Sequence, residues 1–135
     1  MATLHGSLDS SHGPLVTIAV SAPSGPSHFV DALIDTGFTG FVQLPEGHAR
    51  DLGLTLRAVS EAQYADGRTG TVPLAWAKIT LGPHVQEGFA HIQGGSDEVI
   101  VGVQLLRVFR KVFVLSIADG LVLLADTLAD LPSGY

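Results

Sequence analysis

The chain has no cysteine, no run of basic residues, a single tryptophan and no long uninterrupted apolar stretch. Each absence removes a class of function. Without cysteine there is no disulfide, no thiolate metal site and no cysteine nucleophile, and the redox compartment stays open. With 13 acidic against 7 basic residues the formal net charge is -6, so attraction to a phosphate backbone is weak and nucleic acid is not an expected partner. Residues Met1 to Gly13 show neither the basic start nor the apolar core of a signal peptide. The longest apolar stretch, Val112 to Ala125, is broken by Asp119-Gly120 and is too short to span a bilayer. The expectation is a soluble cytoplasmic protein with no membrane partner. Six histidines, His5, His12, His28, His48, His84 and His91, have no close ligand spacing, so neither a metal nor any other cofactor is expected. Ser27-His28 lacks a nucleophile elbow, and Gly94-Gly95-Ser96 is too short for a phosphate loop and precedes a strand pattern.

What remains is a globular composition, 46% hydrophobic and 15% charged over 135 residues, enough for one domain with its own core. Met1 to Gly13, rich in Ser, Gly and His without periodicity, reads as a flexible N-terminal arm. Val16, Ile18 and Val20 alternate along a first strand. Ala22 to Ser27 forms a turn, and His28 to Ile34 a second strand. Phe41 to Leu44 reads as a short strand, and Glu46 to Leu52 as a short helix between Pro45 and the stop at Gly53. Leu54 to Ala65 and Gly70 to Leu81 are extended arms around Asp66-Gly67, a pair that predicts a type I′ hairpin turn. Val85 to Ile92 is a further strand, and Glu98 to Gly102 a short buried one. Gln104 to Arg110 has helical spacing. Val112 to Ile117 and Leu121 to Leu124 form a final hairpin. Many short strands with only one or two short helices predict an all-β fold and a closed or nearly closed barrel.

One stretch carries chemistry. In Ala32-Leu33-Ile34-Asp35-Thr36-Gly37 an apolar strand delivers a carboxylate to the rim of a sheet and turns at once, with a glycine that permits close backbone approach. The same three residues also suit an ordinary Asx turn. What favours catalysis is their company. Asp35-Thr36-Gly37, the hairpin around Asp66-Gly67-Arg68, and Ile100-Val101-Gly102 leading into a helix with Leu105 and Leu106 occur in an order that resembles the retropepsin-like (clan AA) aspartic proteases, most closely their prokaryotic single-domain branch. The resemblance covers about residues 14 to 125 and extends to Phe38-Thr39-Gly40 and Leu44-Pro45. Phe38 stands where retroviral members carry a small residue, and Val103 where they carry an arginine that braces the dimer.

The resemblance implies a closed acid-protease barrel over residues 14–126, followed by a tail over 127–135. It implies an aspartic endopeptidase whose catalytic motif is Asp35, Thr36 and Gly37. Ala65, Asp66, Gly67, Arg68 and Thr69 would be the flap over a peptide or protein substrate, and Ile100, Val101 and Gly102 would support the site. Such chemistry needs two carboxylates sharing one water, and the chain holds one Asp-Thr-Gly. The second must come from another copy, so a homodimer is the expected partner. The alternative is a non-catalytic peptide-binding or dimerisation module of the same fold.

Overall fold

The computed structural model describes residues 3–63 and 66–131. The secondary structure is mostly β. Eleven strands and two short α-helices are present among the described residues: β1 (Leu4–His5), β2 (Ser7–Asp9), β3 (Gly13–Ser21), β4 (His28–Ile34), β5 (Val42–Pro45), α1 (Glu46–Asp51), β6 (Leu56–Gln63), β7 (Thr69–Leu81), β8 (His84–Gln93), β9 (Val99–Val101), α2 (Val103–Val108), β10 (Val112–Ser116) and β11 (Leu121–Ala125). No helix among them is long and apolar enough to cross a membrane.

Eight strands form one sheet in the order β2-β3-β4-β9-β5-β8-β7-β6, and β3 also pairs with β7 through Ala19↔Thr80, Val20↔Ile79 and Ser21↔Lys78. The hydrogen-bonded order therefore returns from β7 to β3. Alternation decides which side chains turn inward: Val16, Ile18 and Val20 on β3, Ala32 and Ile34 on β4, and Ala75, Ala77, Ile79 and Leu81 on β7 are buried in one core with Val42, Leu44, Val101 and Leu105. A second sheet, β1-β11-β10, contributes Val122 and Leu124 to the same core.

Both helices end in the same way. In α1 the Gly53 N–H donates to the Arg50 carbonyl and the Leu54 N–H to the Ala49 carbonyl, with Gly53 at φ 68°. This is a Schellman ending, and it is the stop expected of Gly53. In α2 the Arg110 N–H donates to Arg107 and the Lys111 N–H to Leu106, and Arg110 takes the left-handed position at φ 55° that a glycine would occupy without strain.

Two expectations need correction. The segment before Pro14 is not a loose arm between Leu4 and Asp9. β1 pairs with β11, β2 pairs with β3, and Leu4 and Leu8 pack against the core. Asp9 closes the intervening turn by accepting the N–H groups of Ser11 (2.7 Å) and His12 (3.2 Å); the Ser11 bond, and next the His12 imidazole beside it (3.3 Å), lower its carboxyl pKa. Two isolated leucines had given no periodic signal. The β6–β7 connection is not a two-residue type I′ turn: Gln63 pairs with Thr69, so residues 64–68 lie between the strands, with Gly67 at φ 85°. In the tail, for which the sequence carries no signal, Thr127 and Asp130 cap each other around a 3-10 turn, Leu128–Asp130.

Candidate functional site

β9 lies between β4 and β5. It runs parallel to β4 (Ala32↔Val99, Leu33↔Ile100, Ile34↔Val101) and antiparallel to β5 (Val42↔Val101, Gln43↔Ile100). The loop that leaves β4 at Asp35 must cross the end of β9 to re-enter the sheet as β5. The backbone fastens it there at four points. The Asp35 N–H donates to the Val101 carbonyl (3.0 Å), and the Gly102 N–H to Phe41 (3.2 Å). The Val103 N–H donates to Phe38 (2.9 Å), and the Gln104 N–H to Gly40 (3.1 Å).

Such contact demands glycine at position 102. A Cβ there would stand 2.4 Å from the Phe38 carbonyl oxygen and 2.5 Å from that of Gly40. The backbone of Gly102 is extended (φ -117°), so the requirement is steric and not conformational. Ile100, Val101 and Gly102 are thus brought against the acidic turn, with Val101 fully buried and Ile100 half-buried.

Within the turn, Asp35 Oδ1 accepts the Gly37 N–H at 2.8 Å, and the Phe38 N–H donates back to the Asp35 carbonyl at 3.1 Å. The carboxylate is half-buried, and its Oδ2 has no hydrogen-bond partner among the described residues. Thr36 and Gly37 are exposed, and the Thr36 hydroxyl bonds to no described residue. One chain therefore presents a single oriented carboxylate with one oxygen open for a proton, a water or a partner group. That geometry alone is shared by Asx turns. The four-point clasp from Val101 to Gln104 is what an isolated Asx turn lacks.

The β6–β7 hairpin supplies the other candidate residues. Beyond Leu74, which pairs with His91, β7 leaves β8 and pairs only with β6. Pro73 pairs with Val59 in this two-stranded part, where a strand tolerates proline better than in a sheet interior. Asp66, Gly67, Arg68 and Thr69 are exposed at the tip, where Asp66 accepts the Arg68 N–H (3.0 Å) and pairs with its Nε (2.6 Å). Ala65 lies outside the described residues. No hydrogen bond or ion pair joins the tip residues 66–69 to the acidic turn among the described residues.

The structure adds neighbours that no local sequence pattern groups. The Phe38 ring meets the His91 imidazole edge-on, with centroids 5.2 Å apart, and Gly40 sits beneath both. Burial holds the pKa of His91 below its ordinary value. His91 reaches this place because β8 pairs with β5 (Gln43↔His91), a parallel register that no local pattern announces.

No family model matches the chain, and no curated protein sequence does. Among solved structures, one similar chain is a protein of unknown function (DUF785) from Legionella pneumophila, with 12% identity and a TM-score of 0.44 over 70% of this chain and 85% of that one.

Proposed function

We propose that this chain is an aspartic endopeptidase that acts as a homodimer. The observation that carries the reading is the acidic turn itself: Asp35 at the end of β4, its Oδ1 fixed by the Gly37 N–H, its Oδ2 open, and its loop clasped to Val101–Gln104. The sheet order that returns from β7 to β3 supports the closed barrel implied by the resemblance to retropepsin-like proteases.

Two copies related by a two-fold axis would bring their Asp35 carboxylates to opposite sides of one water. Like charges in such contact do not both ionise, so the pair holds one proton between them. The ionised member accepts a proton from the water as its oxygen bonds to the peptide carbonyl carbon. The protonated member donates to the carbonyl oxygen, and the amine nitrogen takes a proton as the C–N bond breaks. Gly37 orients each carboxylate, and the exposed Thr36 hydroxyl is available to hold the two loops together. The β6–β7 hairpin closes over an extended peptide and excludes water.

Asp35→Asn is expected to abolish cleavage of a peptide library at mildly acid pH while leaving the melting temperature unchanged within about 2 °C, because Oδ1 remains an acceptor for Gly37. Unchanged cleavage would refute the proposal. Sedimentation comes first, since a protein that stays strictly monomeric at assay concentration cannot assemble a two-carboxylate site. Peptide binding without any cleavage would favour the non-catalytic module.

A further inference from the structure

Beside the clasped loop lies an open cavity of about 370 Å³ whose walls include Trp76, Glu87 and Phe89 from the β7–β8 hairpin and Gly40, Phe41 and Gln104 from the loop and α2. The ladder pairs Trp76 with Phe89, and their rings meet edge-to-face with centroids 4.9 Å apart. The indole N–H of Trp76 donates to Glu87 Oε1 at 2.6 Å. This bond holds the carboxylate at the aromatic wall and leaves Oε2 without a partner among the described residues. Gly88 makes the floor possible. A Cβ at that position would stand 2.7 Å from the Phe41 ring, so its absence lets the buried Phe41 come up beneath the hairpin.

A fixed carboxylate beside an aromatic pair is a receptor for a cation. Trp is the strongest ring for cation–π contact, and a guanidinium both stacks on aromatic faces and donates planar hydrogen bonds to a carboxylate, which an ammonium does not. No lysine or arginine lines the cavity. Lys78 stands opposite Glu87 in the ladder, yet no ion pair joins them, the carboxylate being turned to the indole. The chain's net charge of -6 adds a favourable field for a positive ligand. The cavity also shares Gly40 and Gln104 with the clasp, through the Gln104 N–H bond to the Gly40 carbonyl (3.1 Å).

We infer that this cavity binds the guanidinium of an arginine side chain in an extended peptide, with Glu87 as the charge partner and Trp76 and Phe89 as the stacking wall. Its use as a specificity subsite of the protease rests on the function proposed above; the binding of the cation does not.

Trp76 is the only tryptophan in the chain, so its fluorescence reports on this site alone. The test titrates the Asp35→Asn protein of 135 residues with Nα-acetyl-arginine amide and, in parallel, with the uncharged citrulline analogue. A saturable change in emission with arginine, absent with citrulline, is expected. Glu87→Gln, checked by circular dichroism for an unchanged fold, is expected to weaken the arginine response by about tenfold or more, as for loss of a charge-assisted bond. No saturable response to arginine, an equal response to citrulline, or full affinity in Glu87→Gln would overturn the inference. The citrulline comparison needs no variant at Glu87 and decides the matter even if that variant misfolds. Binding in a protein that cuts no peptide would refute the protease function and leave this site standing.

Discussion

The acidic loop and the β6–β7 hairpin tip are both glycine-containing connections that turn on an aspartate, and they are held in opposite ways. In the loop, Asp35 bonds to its own turn, and the backbone from Phe38 to Phe41 is also bonded to Gly102, Val103 and Gln104, about sixty residues away in sequence. At the tip, Asp66 bonds to no described residue but Arg68, and its side chain is exposed. One aspartate is positioned by the tertiary structure and the other by a residue two places along the chain. A catalytic carboxylate needs the first arrangement, and a moving cover the second.

Substitution of the glycines separates the two regimes. Gly102→Ala should have the largest effect, a loss of about 3 kcal/mol in chemical denaturation, because the new methyl group meets two backbone oxygens and the four-point clasp must open. A stable Gly102→Ala protein would mean that the clasp is not as tight as described. Gly40→Ala should cost less, about 1.5 kcal/mol, since its Cβ meets the Phe38 ring at 2.5 Å and His91 Nε2 at 2.9 Å, side-chain atoms that can swing away. At the tip, Gly67→Ala meets nothing within 4 Å and carries only the strain of φ 85°. The expected cost is about 1 kcal/mol, with the clasped loop left intact. If Gly67→Ala proved as costly as Gly102→Ala, the contrast between the two connections would fail.

The smallest effect concerns pH. Burial favours neutral His91 in the folded protein, so its folded pKa lies below the ordinary 6.5. Between those two values the unfolded chain binds the extra proton. The contribution of His91 to stability is therefore complete above about pH 6.5 and is lost as pH falls through its folded pKa. Denaturation of the parent and of His91→Gln at about pH 8 and about pH 5 should show a shallower decline in the variant. An identical decline would mean that His91 is no more buried than the tip residues. His91 is only partly buried, so the effect is modest.

Much of the fold was legible because its elements are marked locally. Val16, Ile18 and Val20 alternate, Gly53 stops α1, and Gly82-Pro83 joins β7 to β8 as a two-residue connection with Gly82 at φ 57°. The β1 and β2 strands were missed because Leu4 and Leu8 are single apolar residues that become strand members only when β11 and β3 offer edges to pair with. The site divided in the same way. Asp35-Thr36-Gly37 and Ile100-Val101-Gly102 stood out as strands ending in glycine turns. His91 and Glu87 did not, because their significance lies in which strand is opposite.

By itself the sequence determined where most of the chain from β3 onward extends and turns, and that one aspartate ends an apolar strand. These are consequences of side-chain alternation and backbone permissiveness, which act within a few residues. Only the tertiary structure decided that β9 enters between β4 and β5, that Gly102 meets the backbone of Phe38 and Gly40, and that Trp76, Glu87 and Phe89 gather beside that loop. Those pairings depend on burying one shared core. No local pattern encodes which distant strand completes it.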